Sequence, residues 1–123
     1  QMAEQARSGV YPTRLTLPHQ QGFNIVETSS IIWIEADGNY SLIRMDGGKQ
    51  LLVTRAIREF EFLLDPTKFF RSHKSALVNL GKVREYSSDD GHNVIMSNGD
   101  KAPVSRRKLD EFMSVIDSLS RRV

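Results

Sequence analysis

The chain predicts a mainly β fold of about ten short antiparallel strands with two short helices. Three observations carry that expectation. Segments rich in β-branched and aromatic residues recur at close spacing, Gly, Asn and Asp punctuate them, and only two stretches change to a helical period.

The first strand set is 14–18, 23–27, 31–36, 40–45 and 50–54. Its breaks are Gln21-Gly22, Thr28-Ser29-Ser30, Asp37-Gly38-Asn39 and Asp46-Gly47-Gly48, where Gly or Asn would supply the positive φ of a tight hairpin. Gaps this short exclude parallel pairing, because a parallel crossover takes about a dozen residues or more. Ile57, Phe60, Leu63 and Leu64 then form one stripe of a short helix that stops at Asp65-Pro66. Strand character returns at 69–71, 75–80, 82–86, 93–97 and 101–104, with Asn98-Gly99 the strongest hairpin signal. Leu109, Phe112, Ile116 and Leu119 mark a C-terminal helix. Ser105 is its expected N-cap, and Val104 with Leu109 has the spacing of a hydrophobic staple.

The 123 residues suit one domain, and the absence of cysteine removes disulfides, thiolate nucleophiles and Cys-rich zinc fingers. No window approaches the roughly 18 consecutive apolar residues of a membrane span, so a soluble domain is expected, and a cytoplasmic location is allowed by the absence of cysteine. Residues 1–13 read as a linker, 14–120 as the domain and 121–123 as a tail.

The net charge of +2 hides an uneven distribution: residues 1–70 hold seven basic and eight acidic side chains, whereas 71–123 hold ten and seven. The excess gathers at Arg71-Ser72-His73-Lys74-Ser75 and Ser105-Arg106-Arg107-Lys108. The second cluster breaks a local rule, since a helix N-terminus is itself positive and favours acidic residues in its first turn. Three cations there, beside free amides, form a site suited to an anion such as phosphate, unless they simply extend into solvent. In the first cluster, strand alternation would set Arg71, His73 and Ser75 on one side and Ser72 and Lys74 on the other. Such a mix suits phosphate and base edges, while a charged edge strand that resists aggregation is the plainer account.

Enzymatic readings are weak. Ser75 or Ser105 with His73 and Asp37 could be written as a triad, but no Gly-x-Ser-x-Gly elbow is present. His19, His73 and His92 lie far apart without metal-ligand spacing, and Asp89, Asp90 and Asp100 read as solvated turn carboxylates. No metal or cofactor is expected.

Three blocks in order carry a family likeness: Ile32-Trp33-Ile34-Glu35-Ala36-Asp37-Gly38-Asn39-Tyr40, Phe69-Phe70-Arg71-Ser72-His73-Lys74-Ser75-Ala76-Leu77-Val78-Asn79, and Ala102-Pro103-Val104-Ser105-Arg106-Arg107. Together they resemble the LytTR family of bacterial DNA-binding domains, over residues 15 to about 119. The resemblance implies an elongated set of antiparallel sheets that reads double-stranded DNA with loops entering successive major grooves. It also implies an output domain of a transcriptional regulator of the response-regulator type, fused behind a receiver domain, binding tandem repeated sites and self-associating on DNA. The sequence agrees in offering no adjacent helix pair for a helix-turn-helix.

By the same resemblance, base contacts fall to Tyr40, Lys74 and Arg107, and phosphate contacts to Asn39, Ser41, Arg71, His73, Ser75, Ser105, Arg106 and Lys108. Arg107 could bond guanine O6 and N7 bidentately. Tyr40 offers a hydroxyl and a ring face, so stacking on a sugar or thymine methyl stands beside base reading. For His73, a packed ring and a phosphate contact both stay open. Trp33, Ile34, Leu77 and Val78 are expected in the core. A β interaction module that pairs edge strands with a partner protein is the alternative from another class.

Overall fold

The chain runs β1 (Arg14–His19), β2 (Gly22–Glu27), β3 (Ile31–Asp37), β4 (Tyr40–Met45), β5 (Gln50–Val53), α1 (Ile57–Leu63), β6 (Phe69–His73), β7 (Ala76–Asn79), β8 (Val83–Ser87), β9 (Asn93–Met96), β10 (Lys101–Pro103) and α2 (Leu109–Leu119). This computed structural model describes residues 10–123, so most of the expected linker lies outside the described residues. Among the described residues the strands form three antiparallel sheets: a ribbon β1-β2, a five-stranded sheet in the order β5-β4-β3-β7-β6, and a three-stranded sheet β10-β9-β8. The mainly β expectation, with ten strands and two helices, is met.

The central strand β3 shows why the sequence folds this way. Ile31, Ile32, Trp33 and Ile34 are all buried, which a strand achieves only when both faces are covered. A register shift between Ile31 and Trp33 sends Ile31 and Ile34 into one core and Ile32 and Trp33 into the other. The first core also takes Leu15, Leu17 and Val26 from the ribbon and Ile57, Phe60 and Leu64 around α1. In the second core, Phe70 and Val78 meet Val94 and Met96 of β9 and Phe112 of α2. The Phe70 and Phe112 rings lie 5.6 Å apart at a tilted angle, a favoured aromatic geometry. Trp33, Ile34, Leu77 and Val78 are core residues as expected.

Four local expectations change. Thr28-Ser29-Ser30 is no hairpin turn: it is a 3-10 turn carrying the chain from the ribbon to the five-stranded sheet, because β2 pairs with β1 and β3 with β4 and β7. Second, the strand through Ser75 is interrupted. Lys74 and Ser75 form the tip of the β6-β7 hairpin, and a register shift between Arg71 and His73 breaks the expected alternation. Third, Arg106–Lys108 is a 3-10 turn ahead of α2, and Ser105 makes no side-chain cap. Fourth, the apolar stripe of α2 ends early, since Leu119 is 58% exposed.

The β3-β4 turn places Gly38 at φ 62°, so that glycine alone, not Asn39, provides the left-handed residue of that turn.

Candidate nucleic-acid interface

Antiparallel pairing brings distant loops to one end of the five-stranded sheet. Asp37 pairs with Tyr40 across the β3-β4 turn, and His73 pairs with Ala76 across the β6-β7 turn. Glu35 lies opposite Ala76, and the Ala36 amide donates to the Ser75 carbonyl at 2.9 Å, so these two turns emerge side by side. The third loop is stapled to the second. The Ser105 amide donates to the Ser72 carbonyl at 2.7 Å, and the buried Ser72 hydroxyl donates to the Pro103 carbonyl at 2.8 Å. This anchor needs a small hydroxyl at a fully buried position, which explains Ser72 among charged neighbours.

Cations collect at that end. Lys74, Arg106 and Arg107 are exposed, and none has an ion-pair partner among the described residues. Arg106 and Arg107 also sit in the first turn before α2, where helical geometry leaves amides free to meet an anion. Asn39 and the 45%-exposed Tyr40 lie at the β3-β4 turn, beside the β6-β7 tip that carries Lys74. His73 Nδ1 accepts from the Ser75 amide at 3.1 Å and meets the Ser75 hydroxyl at 2.8 Å. In a neutral ring that assigns the proton to Nε2, which leaves one N–H donor.

Other expected contacts are used internally. Ser41 is fully buried, and its hydroxyl donates to the Arg55 carbonyl at 2.6 Å, so it faces the fold and not a phosphate. The Ser105 hydroxyl is enclosed and without a partner. Arg71 donates to Glu61 at 2.6 Å and to the carbonyls of His73 and Lys74 at 3.0 and 2.8 Å. Lys108 lies 5.6 Å from the Phe70 ring centroid and 3.6 Å from a Glu111 oxygen, held against the domain.

Two further residues take positions that carried no local signal. Arg55 reaches this end because Ser41 pairs with Val53, and its guanidinium lies 3.1 Å from Glu59. Asp100, read as a solvated turn carboxylate, instead accepts from the Trp33 indole at 2.9 Å and from Asn98 at 2.8 Å. Arg44 joins it, 3.5 Å from Asp100, 2.7 Å from Glu35 and 5.5 Å from the Trp33 ring centroid. Both depend on pairings distant in sequence. Among the described residues, no group of acidic residues or histidines has metal-site geometry, and no helix is long and apolar enough to cross a membrane.

The model of the LytTr DNA-binding domain matches residues 21–117. The chain belongs to this family. LytTR is a DNA-binding family, and the end of the sheet where the three loops converge carries the exposed Lys74, Arg106 and Arg107. A solved LytTr DNA-binding domain from Bacillus cereus superposes with a TM-score of 0.74 at 24% identity, covering 85% of this chain and 97% of that one. It supports the fold. Among curated relatives, the CO-responsive transcriptional regulator RcoM of Rhodospirillum rubrum is 30% identical over 94 residues, 74% of this chain and 39% of RcoM. The transcriptional regulatory protein YpdB of Escherichia coli K12 is 40% identical over 63 residues, 49% of this chain and 26% of YpdB. The chain therefore spans well under half the length of these relatives.

Proposed function

We propose that this LytTR domain is the sequence-reading output part of a bacterial transcriptional regulator, acting in the cytoplasm on double-stranded DNA without enzymatic activity. The similarity to RcoM and YpdB, both transcriptional regulators by name, supports the regulatory setting. The observation that carries the reading is the convergence of the β3-β4 turn, the β6-β7 tip and the 105–108 segment.

Roles follow from chemistry. Arg107 reads guanine through its planar fork, and Lys74 reads a base acceptor as a point charge. Tyr40 contributes a ring face and a hydroxyl from the neighbouring turn, at a thymine methyl or sugar. Arg106, Asn39, the His73 Nε2–H and the Ser75 hydroxyl fix the register on phosphates, contacts that carry no sequence information. Arg71 and Lys108 support the loops. Tandem repeated sites, read in successive major grooves, are the expected targets by the likeness to the LytTR family. An upstream receiver domain and self-association on DNA would complete the regulator.

Selection of bound duplexes from a random pool tests this. A recurring motif, with affinity falling linearly in log salt, is the expected result. No enrichment over the starting pool would overturn the reading.

A further inference from the structure

The β6-β7 tip is held from beneath by one guanidinium. Arg71 Nε donates to the His73 carbonyl at 3.0 Å and Nη2 to the Lys74 carbonyl at 2.8 Å, so two consecutive peptide oxygens converge on it. Its third nitrogen, Nη1, donates to Glu61 Oε1 of α1 at 2.6 Å. The register shift after Arg71 turns the backbone so that these carbonyls face the fork. Only a planar guanidinium offers three nitrogens in a fixed arrangement for such a set. The Arg71 side chain is 20% exposed, and Glu61 supplies the charge that keeps it there.

We propose that Glu61 and Arg71 form a positioning clamp, in which the carboxylate of α1 orients the guanidinium and the guanidinium fixes the backbone from which Lys74 is presented to DNA. This rests on the reading that the β6-β7 tip meets DNA. Neither residue reads a base. Lys74 stands on a two-residue tip, and its neighbours His73 and Ser75 are bonded to each other across it. With the clamp in place the lysine's flexible stem starts from one backbone geometry. Without it the tip samples several, and the base contact weakens while the number of phosphates neutralised stays the same.

Charge alone predicts the opposite outcome for Glu61, which makes the inference sharp. Removing a carboxylate from a domain that binds a polyanion should tighten binding. The clamp predicts looser and less selective binding.

The test uses Glu61→Ala and Arg71→Lys in the full 123-residue chain, titrated against a selected duplex and a scrambled duplex over a salt series. In both variants the preference for the selected over the scrambled duplex should fall about tenfold, within the range that one base contact contributes, with the salt slope unchanged. Arg71→Lys keeps the charge, so near-normal binding by that variant would assign Arg71 to a phosphate and overturn the clamp. Equal or tighter selective binding by Glu61→Ala would overturn it as well. If the unaltered chain bound no duplex, the proposed function would fall, and hydrogen exchange would judge the clamp separately. Faster exchange of the Ser75 and Ala76 amides in Glu61→Ala supports it, and unchanged exchange refutes it.

Discussion

The amide of Ser105 donates to the carbonyl of Ser72 across 2.7 Å, and this bond turns two basic stretches, remote in sequence, into one surface. The Ser72 hydroxyl doubles the connection by donating to Pro103, 31 positions away, at 2.8 Å. Ser72→Ala removes the second bond and leaves the Pro103 carbonyl without that donor. A net hydrogen bond contributes about 0.5–1.5 kcal/mol, so urea unfolding should show a loss of that size. Duplex affinity at a stability-permissive temperature should fall too, because the 105–108 segment loses its fixed distance from Lys74. Unchanged affinity in a destabilised variant would mean the two loops act independently.

Adjacent arginines should separate phosphate binding from base reading. Replacing Arg106 by Ala is expected to weaken all duplexes alike and to lower the slope of log affinity against log salt by about 0.9. Arg107→Ala should cost about 1–3 kcal/mol on the selected duplex and relax preference at one position. Both effects are read from titrations on matched and single-base-changed duplexes. Identical profiles for the two variants would argue against this division of labour.

The strands and both helices were legible because each depends on local pattern: the alternation in β4, the Gly47-Gly48 turn, the stripe of Ile57 and Phe60. Sheet membership was not. Thr28-Ser29-Ser30 has the polarity of a hairpin turn, yet nothing near it in sequence tells that β3 pairs with β7 and not with β2. The basic clusters were legible as charge, but their division into free and tied side chains was not. Arg71 and Arg106 look equivalent in a sequence, and only the placement of α1 gives Arg71 a carboxylate at 2.6 Å. Ser41 shows the same limit, since its burial follows from its pairing with Val53 on β5.

Asp100 ties the β9-β10 hairpin to the central sheet through the indole of the 3%-exposed Trp33. Asp100→Ala would leave that indole N–H without its acceptor and Arg44 without one of its two carboxylates. An unsatisfied buried donor costs about 1–3 kcal/mol, and the urea midpoint should drop accordingly. Asp100→Asn keeps a neutral acceptor and should lose less. If both variants matched the unaltered protein, the indole bond would be irrelevant to docking of the two sheets.

Stability should also carry an acid-side signature from Asp65, which ends the α1 segment. Its Oδ1 accepts from the Thr67 amide at 2.9 Å and the Thr67 hydroxyl at 2.8 Å, and the amide bond foremost holds its pKa below the ordinary 3.8. Because the folded value is the lower one, the carboxylate's contribution is fully present above about 3.8 and is lost as pH falls through the depressed value. Asp65→Asn cannot ionise. The gap in urea midpoint between the two proteins should therefore be constant from neutral pH down to about 5, above the range of carboxylate titration, and narrow steadily below the unfolded value. A gap that stays the same at pH 2.5 to 3 would show that the Thr67 bonds do not favour the charged form.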